Sequence, residues 1–194
     1  MFRALLSVGG FTLLSRLTGF VRDIIMASVL GRGLLSDAFV IAFRLPNHFR
    51  AIFAEGAYNA AFIPLYTALR HKGGDASRAF ARNMMGWQIV TQLVLLATAV
   101  IFMPWVVAAL APGFTERPEQ MTLAVELTRI TFSYLLCLAV VTHLGDTLNA
   151  ENTFWPAAAA PIVLNLSMVA SLSFAFVFPT AAHAAAWGVF AGGI

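Results

Sequence analysis

Four arginines, Arg16, Arg22, Arg44 and Arg50, stand among residues that are nearly all apolar. An arginine at the centre of a membrane helix costs roughly 2.5 to 3.5 kcal/mol on insertion scales, so four of them near one another call for a purpose. A guanidinium is a planar, permanently charged fork that holds phosphate oxygens through two-pronged, charge-assisted hydrogen bonds. A cavity carrying several would suit a phosphate or pyrophosphate headgroup, and the chemistry implied is passage of an anionic substrate through the bilayer. Asp23, Asp37 and Glu55 supply three opposing charges, which leaves one cation over. Asp37 and Arg44 are seven residues apart, on one helix face, and can pair across two turns. Arg22 and Asp23 are sequence neighbours and are expected to point apart. Arg44 therefore leans towards a structural role, and Arg16, Arg22 and Arg50 towards binding. The plainer alternative stays open: these arginines snorkel to the interfaces or neutralise the three acids.

Arg16 and Arg22 are six residues apart, some 120° away from a common helix face. Gly19 lies between them, and a helix bent or broken there would let both face one cavity. Enzyme signatures are weak or absent. His48, His71, His143 and His183 lack zinc-site spacing, no G-x-S-x-G elbow or phosphate-binding glycine loop occurs, and no metal or cofactor is called for. Asp146 and Glu151 read as loop residues without a basic partner. Pro156, Pro161 and Asn165 read as setting helix shape and hydrogen bonds between helices.

The elements that must carry these side chains are helices in a membrane. Of the 194 residues, 60% are hydrophobic and 11% charged, against roughly 45–50% and about 25% in a soluble domain. Stretches at 87–111, 127–145 and 155–178 are apolar nearly all round and long enough to cross hydrocarbon. Helices are expected near 4–30, 37–69, 84–110, 121–146 and 155–178. Ser36 is read as the N-cap of the second, with a kink near Pro46 and a break or re-entry around Glu55-Gly56. From His183 only twelve residues remain, about 18 Å of helix against roughly 30 Å of hydrocarbon. That implies a truncated sixth helix and a fragment of a longer transporter. The lone cysteine, Cys137, excludes a disulfide within the chain.

The net charge of +3 is not a nucleic-acid footprint, because Arg70, Lys72, Arg78 and Arg82 cluster beside Gly73-Gly74 and most other basic residues are scattered in apolar sequence. By the positive-inside rule the cluster marks a cytoplasmic loop, with a cytoplasmic N-terminus and 112–120 outside.

The run Ser15-Arg16-Leu17-Thr18-Gly19-Phe20-Val21-Arg22-Asp23, followed by Asp37-Ala38-Phe39, Leu45-Pro46-Asn47 and Phe53-Ala54-Glu55-Gly56-Ala57, resembles the MurJ (MviN) family of lipid II flippases. The likeness continues through Ala111-Pro112-Gly113-Phe114, Ile130-Thr131-Phe132, Leu148-Asn149 and Pro161 to Asn165, in order along essentially the whole chain. It implies an all-α integral membrane protein of the bacterial inner membrane: about six transmembrane helices, residues 1–194, forming the N-terminal lobe of a two-lobed transporter of the multidrug/oligosaccharidyl-lipid/polysaccharide (MOP) exporter superfamily. The implied partner is the undecaprenyl-pyrophosphate-linked peptidoglycan precursor, lipid II, moved without covalent chemistry and with the missing C-terminal lobe completing the cavity. The family's cavity arginines fall on Arg16, Arg22 and Arg50, its essential aspartate on Asp37, and an acidic residue near its cytoplasmic gate on Glu55. Ser133 departs from the family, standing where many relatives carry proline. Two other readings remain, a polysaccharide or drug exporter of the same superfamily and a non-transporting scaffold for cell-wall synthesis. An arginine excess argues against a carrier of cationic drugs, and a scaffold needs no arginines at depth.

Overall fold

The computed structural model describes the backbone of residues 2–54 and 57–194, and the side chains of 9–50, 58–71, 73 and 75–194. Among the described residues every regular element is helical: α1 (Phe2–Leu30), α2 (Leu34–Ala54), α3 (Ala57–Lys72), α4 (Gly74–Leu110), α5 (Pro118–Ala150), α6 (Trp155–Ser173) and α7 (Ala181–Ala191), with single 3-10 turns at Pro112–Phe114 and Ala175–Val177.

Glycines and prolines set several of the boundaries. Gly31 and Gly33 adopt φ of 65° and 123° between α1 and α2, a region that L side chains enter at a cost. The backbone N–H of Asp37 donates to the Gly33 carbonyl at 3.0 Å, so α2 begins three residues earlier than expected and Ser36 lies inside it. Asp37 occupies the first turn, where the helix dipole favours a carboxylate. The helix runs without interruption through Pro46. Residues 37–69 divide into α2 and α3, while the expected break at Glu55-Gly56 lies outside the described residues.

Two expected loops are helical over much of their length. The segment around Arg78 and Arg82 belongs to α4, which starts at Gly74 with Asp75 in its first turn. Its 37 residues span about 55 Å, well beyond the roughly 30 Å of hydrocarbon, so polar residues extend the helix into the interface without ending it. Trp87, Val90, Val94, Ile101 and Trp105 repeat at helical spacing on its outer face and are all exposed. The two tryptophans lie about 27 Å apart along the axis, close to the separation of the two aromatic belts of a membrane protein. Arg78 and Arg82 then lie beyond the first belt. Likewise α5 continues to Ala150, so Asp146 is a helix residue.

At the centre stands α5, packed against α2, α4, α7, α3 and α6. The core joins Phe39 and Ala42 of α2, Met103 and Val107 of α4, Leu127, Phe132 and Leu135 of α5, Met168 and Leu172 of α6, and Ala185 and Val189 of α7. The buried Thr131 hydroxyl of α5 donates to the Ala42 carbonyl of α2 at 2.7 Å. The region read as one helix over 155–178 ends at Ser173, and α7 begins at Ala181, where the Thr180 hydroxyl accepts from the His183 N–H. The α6–α7 contact is made of small residues: a Cβ on Gly188 would come within 2.8 Å of Met168 Cα, and one on Gly192 within 2.7 Å of Leu164 Cα. Ser167 and Ser171 donate to the Gly188 and Ala184 carbonyls at 2.8 and 2.5 Å. Close backbone approach through small residues and hydroxyls is how helices associate where lipid removes the hydrophobic drive. Among the described residues three helices, α4, α5 and α6, are long and apolar enough to cross a membrane.

A cavity lined by three arginines

A cavity of about 880 Å³ opens between α1, α2, α3, α5 and α6, and Arg16, Arg22 and Arg50 all line it. Arg16 and Arg22 reach it from a single unbroken helix, so the break expected at Gly19 is absent. An angular offset of some 120° still lets two long, flexible side chains border one space. Gly19 serves instead as a contact point: a Cβ there would lie 3.4 Å from Asn165 Nδ2, so the lack of one lets the α6 amide sit against α1. That amide donates to the Ser15 carbonyl at 3.1 Å and to the Thr18 hydroxyl at 3.2 Å. Its oxygen accepts from Arg22 Nη1 at 2.9 Å. The expected interhelical role of Asn165 is therefore met, and its bond to Arg22 extends that role to the cavity.

The adjacent Asp23 does not point away from Arg22. Asp23 Oδ1 accepts from Arg22 Nε at 3.0 Å and from Nη2 at 2.8 Å, which leaves the Arg22 side chain 19% exposed and its partner largely exposed. The two residues can meet because a guanidinium on three methylenes can fold back over its own helix surface. Arg16 is exposed at the cavity, and Arg50 is partly buried there beside Tyr134.

Asp37 and Arg44 are both exposed and line no part of the cavity, and among the described residues no ion pair joins them. The Arg44 carbonyl accepts from His48 Nδ1 at 2.7 Å. Glu55 lies outside the described residues. Arg129 of α5, not singled out in the sequence, borders no part of the cavity and donates Nε to the Val100 carbonyl at 3.3 Å.

The same cavity is also lined by Asn59 of α3 and Asp146 and Asn149 of α5. Asp146 is 2% exposed, and its Oδ2, Asn59 Oδ1 and Asn149 Oδ1 are buried with no hydrogen-bond partner. The spacing of Asp146 and Asn149 would have marked them as one helix face had the helix been continued past residue 146. Nearby, the Tyr58 hydroxyl meets His143 Nδ1 at 2.6 Å. Glu151 has the basic partner it seemed to lack, Arg70 Nη1 at 3.5 Å, and accepts from the Tyr66 hydroxyl at 3.3 Å. One cavity thus has a cationic wall on α1 and α2 and an acceptor-rich wall on α3 and α5.

The profile of a protein family described as "Lipid II flippase MurJ" matches residues 26–194. The chain is 40% identical over 194 residues to a probable lipid II flippase MurJ of Rhizobium meliloti (strain 1021), covering 97% of this chain and 36% of that protein. It is 37% identical over 201 residues to the lipid II flippase MurJ of Burkholderia cenocepacia, covering all of this chain and 38% of the relative. Against the probable lipid II flippase MurJ of Aquifex aeolicus it is 33% identical over 183 residues, with 94% and 36% covered. The chain spans little more than a third of the length of these relatives. With its helices of membrane-spanning length and a match over most of its residues, the chain belongs to the MurJ lipid II flippase family.

Proposed function

We propose that this chain forms the N-terminal lobe of a flippase that moves lipid II across the bacterial inner membrane by alternating access, with Arg16, Arg22 and Arg50 holding the pyrophosphate. The observation that carries this reading is that three arginines from two helices border one cavity of about 880 Å³. Several guanidinium forks around a single space match a group with two phosphates and several anionic oxygens. An anion that binds all three at membrane depth offsets the cost of their charge, so binding energy is available for the conformational change. The undecaprenyl chain stays in lipid while the headgroup crosses, which needs a cavity open sideways to the membrane. A second lobe supplies the facing wall, consistent with the fraction of its relatives that this chain covers. The N-terminus and the residues around Arg70 to Arg82 face the cytoplasm, supported by their basic character.

The test uses a full-length flippase carrying these residues. Arg16→Ala, Arg22→Ala and Arg50→Ala should each abolish lipid II appearance at the outer leaflet, normalised to protein level, while lysine at each position restores it only in part because it keeps the charge and loses the fork. Arg78→Ala, on an exposed turn at the start of α4, should leave flipping unchanged. Normal flipping in all three alanine variants would refute the assignment.

A further inference from the structure

We propose that the α3–α5 wall of the cavity binds an alkali-metal cation, held by Asp146 Oδ2, Asn59 Oδ1 and Asn149 Oδ1. The inference goes beyond the flippase reading and does not depend on it. Three observations converge. All three oxygens are buried and accept no hydrogen bond. All three residues line the same cavity, two of them one turn apart on α5 and the third on α3, which packs against α5. Asp146, 2% exposed, takes part in none of the ion pairs of the described residues.

Buried polar atoms are almost always partnered, and a lone carboxylate in a membrane-spanning helix is costly. The two carboxamide oxygens and an ionised carboxylate can only accept, so what satisfies them together is a donor or a cation. Several protein donors of α3 and α5 are already engaged: the Tyr58 hydroxyl with His143, the Tyr66 hydroxyl with Glu151, the Thr147 hydroxyl with the His143 carbonyl, and Arg70 with Glu151. The chemistry of the set selects the ion. Carboxylate and carboxamide oxygens are hard ligands, with no thiolate or imidazole among them, which suits a hard cation over a transition metal. One carboxylate brings one negative charge, so a monovalent ion makes the site neutral, whereas a divalent ion would leave a charge uncompensated at membrane depth. Thr142 lies one turn before Asp146 on the same cavity wall and offers a further oxygen.

The experiment is equilibrium binding of radioactive sodium ion to the purified protein in detergent, with ionic strength held constant by N-methylglucamine chloride and no lipid substrate present. The expected result is saturable binding at one site, lost in Asp146→Asn. Asn59→Ala and Asn149→Ala should each weaken it at least roughly tenfold, the lower end of what disturbing even an outer-shell ligand costs. Arg78→Ala should bind as the unaltered protein does. Size-exclusion profile and helical circular dichroism report folding, and if Asp146→Asn misfolds the two asparagine variants carry the test. Absence of saturable sodium binding overturns the proposal, including the case in which infrared spectroscopy finds Asp146 protonated and the site ion-free. Undiminished binding in any correctly folded variant of the three overturns the three-oxygen assignment. Because no lipid II enters the measurement, a negative result leaves the arginine assignment intact, and failure of the flipping test leaves this one intact.

Discussion

Replacing Asn165 with leucine removes a polar group that ties α6 to both the backbone and the guanidinium of α1. Three hydrogen bonds go: Arg22 Nη1 to Oδ1 at 2.9 Å, and Nδ2 to the Ser15 carbonyl at 3.1 Å and to the Thr18 hydroxyl at 3.2 Å. A bond to a charged group contributes about 1.5–3 kcal/mol, while interhelical bonds within membranes average about 0.6 kcal/mol because the unfolded chain in lipid also finds partners. Compensation further trims the loss. Arg22 keeps both contacts to Asp23, and the Ser15 carbonyl still accepts from Thr18 Oγ1 at 3.0 Å. The net expectation is a destabilisation of about 2 kcal/mol, with about 1 kcal/mol of it belonging to the Arg22–Asn165 pair. A double-mutant cycle with Asn165→Leu, Arg22→Ala and the double variant isolates that share, read from loss of helicity as sodium dodecyl sulfate is titrated into mixed micelles. A coupling below about 0.5 kcal/mol, the scatter expected of independent sites, would refute the claim that Asn165 holds Arg22 in place.

Gly188→Ala should destabilise by about 1–3 kcal/mol in the same assay, since the added methyl meets Met168 Cα at 2.8 Å and backbone cannot give way as a side chain can; Gly86→Ala, where nothing lies within 4 Å, should cost nothing. In a Cys137→Ala background, Arg78→Cys should escape an impermeant thiol reagent applied to cells with a permeable outer membrane, while Thr115→Cys should be labelled. The reverse pattern would invert the topology.

What the sequence made legible follows from which signals are local. Leu30 ends α1 at Gly31 as expected, because glycine at positive φ is a local property of the chain. The arginines that share the cavity stood out because charge in apolar sequence is costly wherever the helix happens to pack. Polarity alone misled at Arg78 and at Asp146, both read as loop residues and both helical. In each case no proline or glycine pair follows to break the helix, and the length of a span says where hydrocarbon ends, not where the helix does. The Arg22–Asp23 contact was missed for a different reason: helix-wheel angles describe Cβ directions, and a long side chain reaches well outside its own sector. Asn165 against Gly19 was legible only as a type of role, since the partner lies some 146 residues away in the chain and nothing local names it.

The distribution of partners over the three cavity arginines argues for a division of labour. Arg22 is fixed from two sides, by Asp23 on its own helix and by Asn165 on α6, so its Nη1 and Nη2 directions are set before any ligand arrives. Arg16 is exposed on the same helix, two turns earlier. A prealigned guanidinium loses little conformational freedom on binding, whereas an exposed one surrenders rotamers worth up to about 2 kcal/mol. Arg50 comes from α2, and α1 packs chiefly on α6, touching α2 only lightly. An anion bridging Arg22 and Arg50 therefore spans two helices with little direct contact. Within the proposed function, charge on the ligand, acting between two helices that touch only lightly, is a physical means by which headgroup binding can draw α1 and α2 together.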